Sequence, residues 1–122
     1  MRTKLAIALV VTALSVALIP AFAEDATTLT GEPVDIACYL GGKSGEGHAA
    51  CAAACAQKGN PLGLAVKGAD GKETLYLAMG GGGKQAKDLL GTVMGKQVKA
   101  TGVVSEKNGL KVITIASVEE AK

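Results

Sequence analysis

Asn108-Gly109 stands between two apolar-rich runs, Val98 to Ser105 and Leu110 to Val118. The tight turn that joins antiparallel strands needs positive φ at both central residues, and Asn-Gly meets that need at little cost. The dipeptide therefore marks a β-hairpin near the C-terminus. In the first arm Val98, Ala100, Gly102 and Val104 alternate with Lys99, Thr101, Val103 and Ser105, the period of a strand with one face covered. The second arm carries Leu110, Val112, Ile113, Ile115 and Val118.

The rest of the chain supplies partners for that hairpin. Leu62 to Val66 and Glu73 to Met79 read as two strands joined by a loop at Gly68 to Lys72. Upstream, Ala26 to Leu40 reads as a strand interrupted or kinked near Pro33, with Val34, Ile36 and Cys38 on one face and Asp35 and Tyr39 on the other. Lys84 to Met94 places Ala86, Leu89, Leu90 and Val93 at helical spacing, which predicts a short amphipathic helix. Gly80 to Gly83 is a flexible connector, because Lys84 is followed by Gln85 and not by the Ser or Thr of a phosphate loop.

The order strand, helix, strand, strand, short helix, strand, strand predicts a mainly β protein with inserted helices. Gly-rich corners and too little sequence for two sheets favour a small five- or six-stranded, partly open barrel over a sheet with packed helices. The run from Gly95 to Ser105, followed by a hairpin and an Ile/Val strand, resembles the closing hairpin of exported OB-fold domains. That resemblance makes the expected barrel OB-like.

Residues 1–23 read as a cleavable signal peptide and not as part of the fold. Arg2 and Lys4 form the basic start, Leu5 to Ile19 the apolar stretch, and Ala21-Phe22-Ala23 the small-residue site before Glu24. The apolar stretch falls short of the roughly twenty residues of a spanning helix. No cysteine follows the cleavage site to take a lipid. The expectation is a periplasmic or secreted protein with no membrane contact after cleavage. Residues 24–122 then form a single domain. Without Arg2 and Lys4, the 13 basic residues fall to 11 and balance the 11 acidic ones. Tyr39 and Tyr76 are the domain's only aromatics and it has no Arg, a composition that argues against a nucleic-acid partner.

The segment from Cys38 to Cys55 holds all three cysteines and the single histidine. From about Gly47 to Lys58 it is Ala-rich and predicts a helix, capped by Ser44 or Gly47 and stopped by Gly59 and Pro61. On that helix His48, Cys51 and Cys55 fall within about 60° of one another. Cys38 can fold over them across the glycine loop. One imidazole and three thiols are donors suited to Zn²⁺ or Cu(I), so His48, Cys51, Cys55 and Cys38 are the candidate metal ligands and a copper or zinc ion the candidate cofactor. No C-x-x-C knuckle names the metal, and no HExxH-type base points to an enzyme. Met79 offers a thioether, though a Met at a strand end is more often core.

The run Gly47-His48-Ala49-Ala50-Cys51-Ala52-Ala53-Ala54-Cys55 with Gly59-Asn60-Pro61 resembles the G-x-H-x-x-C-A-x-x-C-x-x-x-G-x-P signature of small bacterial exported proteins. Glu46 stands where the signature has its first Gly. The resemblance implies that His48, Cys51 and Cys55 form a shared site on an OB-like domain, with Cys38 matching a cysteine in some of those proteins. It carries no activity with it. The resulting expectation is metal handling or a structural metal clip, with the metal ion and a periplasmic protein as partners. Three other readings stay open. In the first, Cys51, activated by the helix terminus and His48, serves thiol–disulfide exchange with Cys38 or Cys55 resolving. In the second, a bridge from Cys38 staples a binding module. In the third, the thiols pack as small apolar side chains of an Ala-rich helix.

Overall fold

The C-terminal hairpin forms at the Asn-Gly turn, with φ of 52° at Asn108 and 85° at Gly109. It joins β4 (Val98–Lys107) to β5 (Leu110–Glu120) in an antiparallel ladder running from Lys107↔Leu110 to Val98↔Glu120. The register shifts between Thr101 and Gly102, where a Cβ on Gly102 would lie 2.1 Å from the Thr114 carbonyl oxygen. Only glycine fits this bulge, and the bulge bends the hairpin into a curved wall.

The computed structural model describes residues 25–121; the leader assigned to residues 1–23 lies outside them. Three more strands, β1 (Thr27–Asp35), β2 (Leu62–Lys67) and β3 (Glu73–Gly80), complete the sheet. The five strands close into a barrel in the order β1-β2-β3-β5-β4. All neighbours are antiparallel except β3 and β5, which run parallel. β1 closes the ring by serving two partners. Thr27 to Gly31 pair with β4, and Glu32 to Asp35 pair with β2. The changeover falls at Gly31, where a Cβ would stand 2.5 Å from the Ala65 carbonyl oxygen. The fold is thus mainly β, OB-like and five-stranded, as the sequence leads one to expect.

Aliphatic side chains fill the barrel: Leu62, Leu64, Ala78, Val98, Ala100, Ile113 and Ile115. Two helical inserts plug one end. Between β1 and β2 lie α1 (Ile36–Leu40) and α2 (Ala49–Gln57), and between β3 and β4 lies α3 (Ala86–Leu90). Ala52 and Ala56 of α2 join Leu90 and Met94 in the same core cluster. The small side chains let the inserts approach closely; a Cβ on Gly95 would lie 2.9 Å from that of Ala49. No helix of the described residues is long and apolar enough to cross a membrane.

Two elements differ from the sequence expectation. The first strand stops at Asp35 and not at Tyr39, because the Cys38 backbone N–H donates to Asp35 Oδ1 at 2.8 Å and caps α1. The alternation of Val34, Ile36 and Cys38 continues across this cap and hides it. The expected helix over Lys84 to Met94 shortens to Ala86–Leu90, opened by a Gln85–Asp88 capping box.

Candidate functional site

The cysteines lie on the insert between β1 and β2, and its frame is a buried carboxylate. Asp35 is 1% exposed, the single buried charged residue of the described core. Its Oδ1 accepts from the Cys38 N–H, and its Oδ2 accepts from Asn60 Nδ2 at 3.1 Å. The two bonds tie the start of the insert to its end. Burial works against the charge, but the backbone and thiol of Cys38, the Asn60 amide and the Ala37 backbone outweigh it and hold the Asp35 pKa below its ordinary value.

Two further bonds fix the insert to the barrel: the Gly45 N–H donates to the Glu32 carboxylate, and Tyr39 Oη donates to the Glu73 carboxylate. The Gly95 N–H donates to the Pro33 carbonyl at 3.1 Å and ties the loop before β4 to β1. Glu73 as acceptor, with burial and charge added, pushes the Tyr39 phenol up to about 12. Within the insert Lys43 N–H returns to the Cys38 carbonyl at 2.9 Å, closing the glycine turn over α1.

All three cysteines are unbridged; Cys51 is exposed, and Cys38 and Cys55 are half-buried. Asp35, as hydrogen-bond acceptor, pushes the Cys38 thiol up to about 11, and burial and the Asp35 charge add to the shift. Negative charge on Cys55 and Cys51 pushes the same way. Cys51 and Cys55, four apart on α2, are surface neighbours. All three thiols thus stand on the one insert between β1 and β2.

His48 ends a 3₁₀ turn, Glu46–His48, that leads directly into α2, where it is the N-cap residue with φ −111° and ψ −1°. Its Nε2 is buried and has no hydrogen-bond partner among the described residues. It lines a cavity of about 10 Å³ with Glu32, Asp35, Lys43, Ser44 and Gly45, and no cysteine lines that cavity. Among the described residues no three His, Cys, Asp or Glu side chains converge as a group able to hold a metal ion. Cys38 is engaged with Asp35, and His48 is enclosed elsewhere.

Met79 is 52% exposed and lies outside the core, since its neighbour Ala78 takes the inward position on β3. Tyr76 packs against the core. Sequence reasoning missed Asp35, Asn60 and Glu32. The Asp35-x-x-Cys38 spacing of a helix cap is the one local signal that points to the first of these. The class defined by these features is a small five-stranded β-barrel that carries a three-thiol helical insert. Comparison with family models, with curated proteins and with solved structures finds no match for the chain.

Proposed function

We propose that this is an exported metal-binding protein that takes Cu(I) or Zn²⁺ through its cysteine cluster, for metal handling or as a clip on the insert. The supporting observation is three unbridged thiols on one insert, contributed by two helices. Soft thiolate donors in that number select copper and zinc over magnesium or calcium. Binding in a periplasm or outside the cell follows from the leader-like residues 1–23.

A second reading has its own support. Cys51 is exposed and Cys38 half-buried on the same insert, and an oxidant that takes up their two electrons would join them in a bridge. That bridge makes the insert a redox element or a stapled binding module. Metal content by mass spectrometry, with a free-thiol count on protein recovered from a periplasm, separates the readings. Roughly one equivalent of copper or zinc, with thiols unreactive until chelation, supports metal binding. Metal-free protein with one reactive thiol supports the bridge and removes the metal reading.

A further inference from the structure

We infer that Asn108 is a self-modification site: its side chain closes on the Gly109 amide, loses ammonia and is hydrolysed to aspartate or isoaspartate, and the isoaspartate form opens the β4–β5 turn. The inference stands apart from the metal-binding reading and uses none of its residues.

The chain holds two asparagines, Asn60 and Asn108, in opposite surroundings. Asn60 Nδ2 donates to the buried Asp35 carboxylate at 3.1 Å, and the residue after it is Pro61, which has no N–H to attack with. Asn108 stands at the tip of the hairpin, where every residue from Val104 to Leu110 is exposed. Its φ of 52° is the only positive value at a non-glycine position among the described residues. Among those residues no hydrogen bond engages its side chain or the Gly109 N–H. A Cβ on Gly109 would meet nothing within 4 Å, so no neighbouring segment shields the attacking amide.

Asp70-Gly71 is the same kind of dipeptide and shows what engagement looks like. The Gly71 N–H donates to the Gly68 carbonyl at 3.0 Å, and Asp70 Oδ1 accepts from the Lys72 N–H at 3.0 Å. Nucleophile and electrophile are both held there, and a carboxylate is a poorer electrophile than an amide. Bonding therefore singles out Asn108 where the dipeptide alone does not. Ring closure also needs the Asn108–Gly109 peptide to rotate out of its turn. The tip permits this, because β5 pairs with β3 only from Val112 onward. Beyond that rung the hairpin is held by its own ladder and by the exposed Glu106–Lys111 pair, and such tips open at low cost.

The reaction needs only water and hydroxide. The Gly109 amide gives its proton to hydroxide and its nitrogen bonds to Asn108 Cγ. The Cγ–Nδ2 bond breaks, ammonia leaves, and a five-membered succinimide remains. Water then adds to one of the two ring carbonyls. Addition at Cγ breaks its bond to the Gly109 nitrogen and gives aspartate; addition at the main-chain carbonyl gives isoaspartate, with the chain routed through Cγ. No electron is transferred. Both products carry a new negative charge, but their backbones differ. Asp-Gly suits the same two-residue turn, whereas isoaspartate lengthens the turn by one methylene and loses the register it sets.

The test incubates the folded mature protein at neutral and at mildly alkaline pH and maps its peptides by mass spectrometry, with fragmentation that separates aspartate from isoaspartate. Asn108 is expected to be lost, faster at the higher pH, while Asn60 and Asp70 stay unchanged. In the isoaspartate fraction, amide exchange should quicken from Ser105 to Lys111 while Ile113 and Ile115 keep their protection. Asn108→Asp, which adds the charge without the methylene, should keep the tip protected. Folded protein that retains its Asn108 overturns the inference, as does conversion of Asp70 at a matching rate. Isoaspartate that leaves exchange at the tip unchanged, or an Asn108→Asp tip that opens equally, overturns the lengthened turn as the cause of opening.

Discussion

The barrel and its first insert are held together by different physics. Inside the ring, Leu64, Val98, Ala100, Ile113 and Ile115 are 0% exposed and aliphatic, and the strand ladder pairs their backbone. The insert from Ile36 to Pro61 buries chiefly alanines of α2 and depends on carboxylates: Asp35 for Cys38 and Asn60, Glu32 for Gly45, Glu73 for Tyr39. Hydrophobic burial is distributed and tolerant, whereas a few directional bonds to carboxylates fail one at a time. The insert can therefore loosen while the barrel stays closed.

The largest predicted effect lies in the barrel. Ile113→Ala or Leu64→Ala should cost about 2–5 kcal/mol, the usual range for a large-to-small change in a packed core, and should lower the midpoint of chemical unfolding for barrel and insert alike. Loss of insert structure alone would break the comparison.

Asp35→Ala comes next. It strips the partners from the Cys38 N–H and from Asn60, which should cost about 1–3 kcal/mol. Hydrogen exchange should accelerate across Ile36 to Asn60 while β4 and β5 keep their protection. The same carboxylate gives the pH dependence its sign. Because its pKa in the folded protein lies below the ordinary 3.8, its stabilisation is complete above that value and is lost as pH falls through the lower folded value. Acid titration should therefore release the insert's amides before the barrel's, and an Asp35→Asn protein should lack that step.

Asp35→Asn also sharpens the electrostatic side. Asparagine keeps the cap but removes the charge, so the Cys38 thiol should titrate below its present value of about 11. The pH midpoint of Cys38 alkylation, measured in a Cys51→Ser/Cys55→Ser background, should move down. An unmoved midpoint would mean that Asp35 does not govern this thiol.

The smallest effects belong to the surface. Lys96 and Glu120 pair at 2.9 Å with side chains 50% and 53% exposed, and Lys96→Met should leave the thermal midpoint unchanged within error. Tyr39→Phe should fall between this and Asp35→Ala, seen as faster exchange confined to α1.

Much of the barrel was legible in the sequence because its signals are local. Asn108-Gly109 names the turn, and the alternation from Val98 to Ser105 names the covered face. The site was legible as a set of donors but not as an arrangement. Cys51 and Cys55 share α2, whereas His48 stands one residue before that helix, at the end of a 3₁₀ turn that the Ala-rich pattern does not distinguish from it. The strand pattern ran past Asp35 because burial of its carboxylate depends on Asn60, 25 residues away. Contacts of that range, like the one between Gly45 and Gly95, leave no periodic trace.

X-ray absorption at the copper K edge of Cu(I)-loaded protein tests the central claim most directly. The account predicts a first shell in which thiolate sulfurs of the insert bind the copper. A shell without sulfur, or copper that washes away before the spectrum is taken, would contradict it.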